Sequence, residues 1–266
     1  MKILVIGGHQ VFGYGVAASK GFIDVLTESV STLDHEQVIV DTLVHFSMEK
    51  TIEALMGLGN YISNYQLIII QSGLDELDGE RPWAHLFNDS FHSFNHRVET
   101  DEGYRKTIIV PANLVLMREL YRPSPTLKQP YLSFPCLPYV KRMLLNKIAS
   151  TGKLGVIKHF ERQLKVMINL LQNFKEKVIL LGPQPSLNPC TQLLRNLGED
   201  VLRDVCKAQD FNWFKTMEVI EPHPYFFLND GKYLNALGHR VLASQILKHY
   251  RFEVRKHQYY FQLCDN

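Results

Sequence analysis

The chain of 266 residues is 45% hydrophobic and 21% charged, and its 29 Lys plus Arg against 27 Asp plus Glu leave a formal net charge of +2. That length and balance suit a full apolar core without staples, and the near-neutral charge supplies no footprint for a nucleic-acid backbone or an anionic membrane. The four cysteines (Cys136, Cys190, Cys206 and Cys264) are scattered with no CxxC pair, which gives no support to a zinc knuckle or disulfide framework and suits a reduced, cytoplasmic protein.

In chain order, the apolar run at residues 3–6 closes at once on Gly7-Gly8. It is too short for a signal-peptide core and reads as a buried parallel strand. Helical periodicity follows over 20–30, then a weaker strand over 38–43 and a helix over 48–63. Residues 67–70 and 178–181 are further buried strands, with weaker strands expected at 107–110 and 216–220. Helices are expected over 157–174, 189–208 and 235–250. No stretch approaches the ~20 apolar residues of a membrane span. Strands and helices alternating in this way predict an α/β fold with a doubly wound, mainly parallel sheet, flavodoxin-like in type. Residues 81–155 break the rhythm, where Pro123, Pro125, Pro130, Pro135 and Pro138 crowd together. Proline fixes φ and removes a donor, so this stretch is expected to be an irregular insertion within a single domain spanning 1–266. A plain surface excursion is the more economical reading, and a lid over a pocket is the other.

Ligands of open parallel sheets bind at the carboxyl ends of the strands. Three such places carry unusual residues: Gly7-Gly8-His9 with Phe12-Gly13-Tyr14-Gly15, then Gln71-Ser72-Gly73-Leu74-Asp75, then Asp230-Gly231 followed by Leu234-Asn235 and Gly238-His239. Together these blocks resemble the SGNH (GDSL-like) hydrolase family in order and spacing, over the whole chain except the insertion. The resemblance implies that fold and ester-hydrolase or acyl-transfer chemistry. It also implies where the machinery belongs, and there this sequence departs. His9 stands at the nucleophile position, Asp75 at the oxyanion-binding Asn and Tyr233 at the base, leaving Asp230 as the family residue retained. The glycine whose N–H the family uses after the second strand is missing around His45-Phe46-Ser47.

These departures matter chemically. Acyl transfer needs a hydroxyl nucleophile, a base for its proton and donors for the oxyanion. A phenol with a reference pKa of about 10 is a poor base at neutral pH, and a carboxylate accepts hydrogen bonds rather than donating them. The expectation is therefore a degenerate SGNH protein without serine-hydrolase activity. Its pocket of Gly8, His9, Ser47, Gly73, Asp75, Asp230 and Tyr233 would take a small acylated or carbohydrate-like ligand, or serve as an interaction module. The alternative is an active esterase or acyltransferase on an acylated carbohydrate or lipid, with relocated groups such as Ser47 or Ser72 supplying the hydroxyl.

Two other constellations bear on function. Gly7, Gly8 and Gly13 fit part of a dinucleotide fingerprint and so allow a nucleotide-binding reading. However, Gln10 replaces the middle glycine, and none of the 12 tyrosines has a lysine four residues on, as the extended short-chain dehydrogenases would need. Over 83–98, His85, Asp89, His92 and His96 share one helical face, opposite Phe87, Phe91, Phe94 and Val98. Zinc could use such groups, yet a solvated polar face is the simpler reading. No metal and no cofactor are assigned, no nucleic-acid or membrane partner is expected, and oligomeric state is left open. Asn235 is expected to cap the last helix and Asp230-Gly231 to form a turn.

Overall fold

The computed structural model describes residues 1–35, 37–44, 47–79, 110–111, 137–152, 154–229 and 231–251. One six-stranded sheet organises them. Its strands are β1 (Lys2–Gly7), β2 (Ile39–Val44), β3 (Leu67–Gln71), β4 (Val110–Pro111), β5 (Val178–Leu181) and β6 (Trp213–Phe214), in the spatial order β4-β2-β1-β3-β5-β6. All pairings are parallel except that of β4 with β2. The helices are α1 (Phe22–Asp34), α2 (Met48–Leu58), α3 (Leu137–Ala149), α4 (Gly155–Leu171), α5 (Pro189–Ala208), the single turn α6 (Thr216–Val219) and α7 (Ala236–His249).

The three buried strands expected from the sequence form the centre of this sheet, because their residues are apolar on both faces. Ile3, Val5, Leu67, Ile69, Ile179 and Leu181 point into one core layer with Phe22, Leu26, Leu242 and Ile246 of α1 and α7. Leu4, Ile6, Ile68, Ile70, Val178 and Leu180 point the other way, against α2, α4 and α5. Strict alternation along each strand thus divides one sequence run between two cores. The chain leaves β1 toward β2 and then crosses over β1 to reach β3, so the switch point lies between β1 and β3.

Local chemistry sets the helix starts. The Ser47 hydroxyl accepts the Lys50 N–H to cap α2. The Asn188 side chain accepts from Cys190 and Thr191, with Pro189 opening α5. The expected Asn235 cap is present, its Oδ1 accepting the Gly238 N–H at 3.0 Å while its Nδ2 donates to the Tyr225 and Phe227 carbonyls. Of the expected Asp230-Gly231 turn the described part is Gly231, which has φ +66° and whose N–H donates to the Leu228 carbonyl at 2.9 Å.

Two expectations need correction. Residues 216–220 are not a strand. Thr216–Val219 form α6, and the edge strand lies earlier at Trp213–Phe214, where the Phe214 carbonyl accepts the Gly182 N–H. The Thr216 hydroxyl donates to the Gly182 carbonyl, and the Ile220 N–H reaches back to the Thr216 carbonyl. These bonds turn the chain off the sheet despite its β-branched residues. The segment 81–155 is also more than a surface excursion. Its described parts supply the antiparallel edge strand β4 and the helix α3, which packs against α5 through the fully buried Leu145. The histidine face over 83–98 lies outside the described residues.

Candidate functional site at the carboxyl edge of the sheet

The connections leaving β1, β3 and β5 meet the described residues of the 228–235 loop on one edge of the sheet. After β1, Gly8 and His9 enter a single 3-10 turn (His9–Phe12), with the Val11 N–H donating to the Gly8 carbonyl. The chain then runs through Tyr14, whose ring lies 4.6 Å from that of Tyr233 at a 54° tilt. Tyr233 therefore sits beside the first loop, as the aligned blocks imply, but engaged with another aromatic ring. A Cβ on Gly15 would collide with Leu228, so the two loops pack without a gap there. The Leu187 N–H donates to the Gly231 carbonyl, joining the β5 loop to the same segment.

The β3 loop completes the convergence. Asp75 follows Gly73 in the turn after β3 and is half-buried. Asp78 pairs with Lys232 at 3.5 Å, bridging the β3 loop to the 228–235 loop. Partial exposure limits such a pair to below about 1 kcal/mol, so it fixes loop position more than it stabilises the fold. Asp230 lies outside the described residues.

The serines of this edge are held in structural bonds. Ser72 is buried, and its hydroxyl donates to the Leu181 carbonyl at 3.0 Å across the β3–β5 junction. Ser47 accepts the Lys50 N–H at 3.3 Å as the cap of α2. Ser186 accepts the Asn188 N–H at 3.2 Å. At the same helix start as Ser47, the buried Glu76 accepts the Met48 N–H at 2.6 Å. An acceptor oxygen thus takes the backbone donor at the head of α2, close to where the aligned family uses an N–H for the oxyanion.

Sequence reasoning passed over several residues here. Gln10, Gln71 and Gln184 follow or end β1, β3 and β5, and all three are buried. Among the described residues, Gln10 Oε1, Gln71 Oε1 and both amide atoms of Gln184 have no hydrogen-bond partner. The Gln71 amide occupies the space a side chain on Gly7 would fill, 3.1 Å from such a Cβ. Buried polar atoms without partners are uncommon, and three such side chains at strand ends single out this edge. The only sequence signal was at Gln71, a polar residue ending an otherwise apolar strand.

Two charged side chains of α5 hold the β5 loop from behind. Arg195 is buried and its Nη1 donates to the Gln184 and Pro185 carbonyls at 2.8 and 3.2 Å. One turn on, the carboxyl of Glu199 presses against Gly182, where any Cβ would collide with it. Burial away from water pushes the Glu199 carboxyl up to about 7 and, with Glu199 adding to it, the neighbouring Cys206 thiol up to about 12.

The dinucleotide alternative loses its geometry. Its fingerprint needs a helix opening directly out of the glycine loop, whereas α1 begins at Phe22, well beyond Gly13. The α1 amino end is also closed. The Asp24 carboxylate accepts the Gly21 N–H at 3.2 Å, and Nδ1 of the fully buried His239 accepts the Phe22 N–H at 3.2 Å. His239 also stacks on the Phe22 ring, so its place is in the packing of α7 on α1. His223 caps the short turn Pro224–Phe226 by accepting the Tyr225 N–H.

A comparison of the sequence with protein-family models and with curated proteins finds no match. Solved structures do match. The chain is similar to a lipase/acylhydrolase from Enterococcus faecalis, with a TM-score of 0.54 and 15% identity over 94% of each chain. It is similar to the acetylxylan esterase Axe2 from Geobacillus stearothermophilus, with a TM-score of 0.52 and 12% identity over 95% of each chain. The lipase Lip_vut3 from a goat rumen metagenome aligns with a TM-score of 0.54 and 10% identity, over 94% of this chain and 97% of the lipase. Identities this low establish the architecture and leave the chemistry to the residues. The chain has the SGNH-hydrolase fold, the lipase and esterase architecture that its three sequence blocks anticipate.

Proposed function

We propose that this protein uses the carboxyl edge of an acylhydrolase fold to bind a ligand and does not hydrolyse esters by a serine nucleophile. The observation that supports this reading is the engagement of the edge serines: Ser72 donates to Leu181, while Ser47 and Ser186 accept backbone N–H groups. A nucleophilic hydroxyl instead needs a neighbouring base to take its proton, with oxyanion donors opposite. Tyr233 and Asp75, at the base and oxyanion positions of the resemblance, do not supply those functions, and Glu76 consumes the Met48 N–H.

The ligand class follows from the groups around the edge. Glutamine amides offer both donors and acceptors, which suits hydroxyl and acyl-carbonyl groups better than a phosphate. The Tyr14–Tyr233 pair adds an aromatic surface against which a sugar or acyl chain packs. An acylated carbohydrate fits both, in keeping with the acetylxylan esterase among the structural neighbours.

Incubation with a fluorophosphonate followed by intact-mass analysis tests the reading. No adduct is expected on the folded chain under conditions where a serine hydrolase is fully labelled. A stoichiometric adduct on Ser47 or Ser72 would overturn the reading and establish an active esterase with relocated groups. Thermal unfolding with acetylated xylo-oligosaccharide then probes binding, since a ligand at about 100 times its Kd adds ~2.7 kcal/mol to folding stability.

A further inference from the structure

We propose that Gln10, Gln71 and Gln184 bind the free hydroxyl groups of a saccharide, so that this edge recognises the sugar and not its acyl group. The inference rests on the ligand-binding reading above and narrows it.

The three amides share a place and an unmet need. Strands β1, β3 and β5 lie side by side in the sheet. Gln71 ends β3, while Gln10 and Gln184 follow Gly7 and Leu181, the last residues of β1 and β5. At ~4.8 Å between neighbouring strands, the three strand ends span about 10 Å. Gln10, Gln71 and Gln184 are 3%, 6% and 1% exposed. Gln10 Oε1, Gln71 Oε1 and both amide atoms of Gln184 lack a hydrogen-bond partner among the described residues. Leaving a buried amide unpaired costs stability. The backbone beneath each amide is nevertheless fixed. The Gln10 carbonyl accepts the Gly13 N–H at 3.1 Å, Gln71 is in register with Leu181, and Arg195 Nη1 donates to the Gln184 carbonyl at 2.8 Å. Amides held still, dry and unpaired are pre-organised for a partner from outside the chain.

Amide chemistry selects that partner. An amide oxygen needs a donor, and an amide N–H needs an acceptor. Phosphates, carboxylates and ester carbonyls only accept, so none of them satisfies Gln10 Oε1 or Gln71 Oε1. A lipid acyl chain brings no donor at all. A hydroxyl both donates and accepts, and it serves either end of an amide, whichever way the amide is turned. The β3 loop also carries Asp75, Glu76 and Asp78, and their charge disfavours an anionic ligand. A saccharide presents hydroxyls in rows, and the Tyr14–Tyr233 pair offers rings to its apolar faces. A site that stabilises an ester in hydrolysis does the reverse, aiming donors at the acyl oxygen.

The test is thermal unfolding of the full chain, alone and with xylotetraose, cellotetraose, partly acetylated xylotetraose and peracetylated xylotetraose. Xylotetraose or cellotetraose, and the partly acetylated sugar, should raise the midpoint, and the concentration dependence gives the affinity. The peracetylated sugar, which has no hydroxyl left, should not. Gln71→Leu and Gln184→Leu each keep side-chain bulk and exchange an unpaired amide for an apolar group, at Gln71 beside Val11 over Gly7. Each should raise the midpoint of the ligand-free chain by ~3 °C and weaken saccharide affinity about tenfold. A lowered midpoint in both variants would overturn the proposal, because it would mean that the amides are bonded inside the fold, as to an internal water. Unchanged affinity in both variants would overturn it too, and both results leave the ligand-binding reading standing. Stabilisation by the acetylated sugars alone would uphold that reading and overturn this proposal, with the acyl group as the part recognised. No shift with any of the four sugars would overturn this proposal and the acylated-carbohydrate reading together.

Discussion

The seat of Glu199 makes a quantitative demand on stability. Its carboxyl is buried against Gly182, neither oxygen has a hydrogen-bond partner among the described residues, and burial raises it from 4.5 to about 7. Lys215 and Arg203 pull the other way, while Glu218 and Asp200 reinforce the rise, and both effects are smaller than that of burial. In the unfolded chain this group releases its proton near 4.5, and in the folded chain near 7. Between those values the folded state holds more protons, so stability falls as pH rises. The contribution is fully present below about pH 4.5 and lost once pH exceeds about 7. At ~1.4 kcal/mol for each tenfold in proton affinity, the loss is about 3 kcal/mol. Glu199→Gln keeps the shape and removes the titration. Urea unfolding of both proteins is followed across about pH 4 to 8, the window of the two proton affinities. The stability of the wild type relative to the Glu199→Gln variant should fall by about 3 kcal/mol over that range. Taking the difference cancels every group common to both chains. A difference flat within about 0.5 kcal/mol would refute the reasoning, because it would mean the carboxylate is hydrated or paired in the folded protein.

Other substitutions probe the joints of the fold. His239→Ala removes a fully buried ring and orphans the Phe22 N–H. A loss of ~3 kcal/mol is expected in urea unfolding. Asn235→Ala loses a cap and the bonds to the Tyr225 and Phe227 carbonyls, costing ~2 kcal/mol in the same assay. Asn235→Asp should recover the cap portion alone, since a carboxylate accepts the Gly238 N–H but donates nothing to those carbonyls. Tyr65→Phe deletes the buried hydroxyl that donates to Asp41 at 2.8 Å and leaves that carboxylate to Lys2, a loss of ~1.5–3 kcal/mol by thermal or urea unfolding. Finally, His9→Ser should turn over no small activated acetate ester, because Tyr233 leaves the new hydroxyl without a base. Appreciable turnover by that variant would show the alignment or the mechanism to be wrong.

The central sheet was legible because β1, β3 and β5 are uninterrupted apolar runs that have no alternative but burial on both faces. The Asn235 cap and the Gly231 turn were legible because they are local, each set by a side chain or backbone within a few residues. Helix α3 was not. With apolar residues on both its sides it shows no clean stripe, and the prolines before it suggested irregular chain. The displaced edge strand was missed because the Thr216 hydroxyl finds the Gly182 carbonyl 34 residues away, a partner no window of sequence contains. At the site, the Tyr14–Tyr233 contact is a finding of the folded chain; the block spacing put the candidate residues at strand ends and went no further. It did not foretell that Ser72 bonds to Leu181 or that Glu76 reaches Met48, because those depend on the registry of β3 against β5 and the docking of α2.

The pairing of α1 with α7 has a consequence for synthesis. The apolar face of Phe22, Ile23, Leu26 and Val30 is completed by Leu242, Ala243, Ile246 and Tyr250, and the bond from the Phe22 N–H spans 217 positions to His239. Translation proceeds from the amino end, so α1 waits uncovered until α7, which carries His239 217 positions on, has left the ribosome. A nascent chain stopped short of α7 therefore carries one raw side of its sheet into the cell. It is a natural client for a holdase, and a ready substrate for quality-control proteolysis.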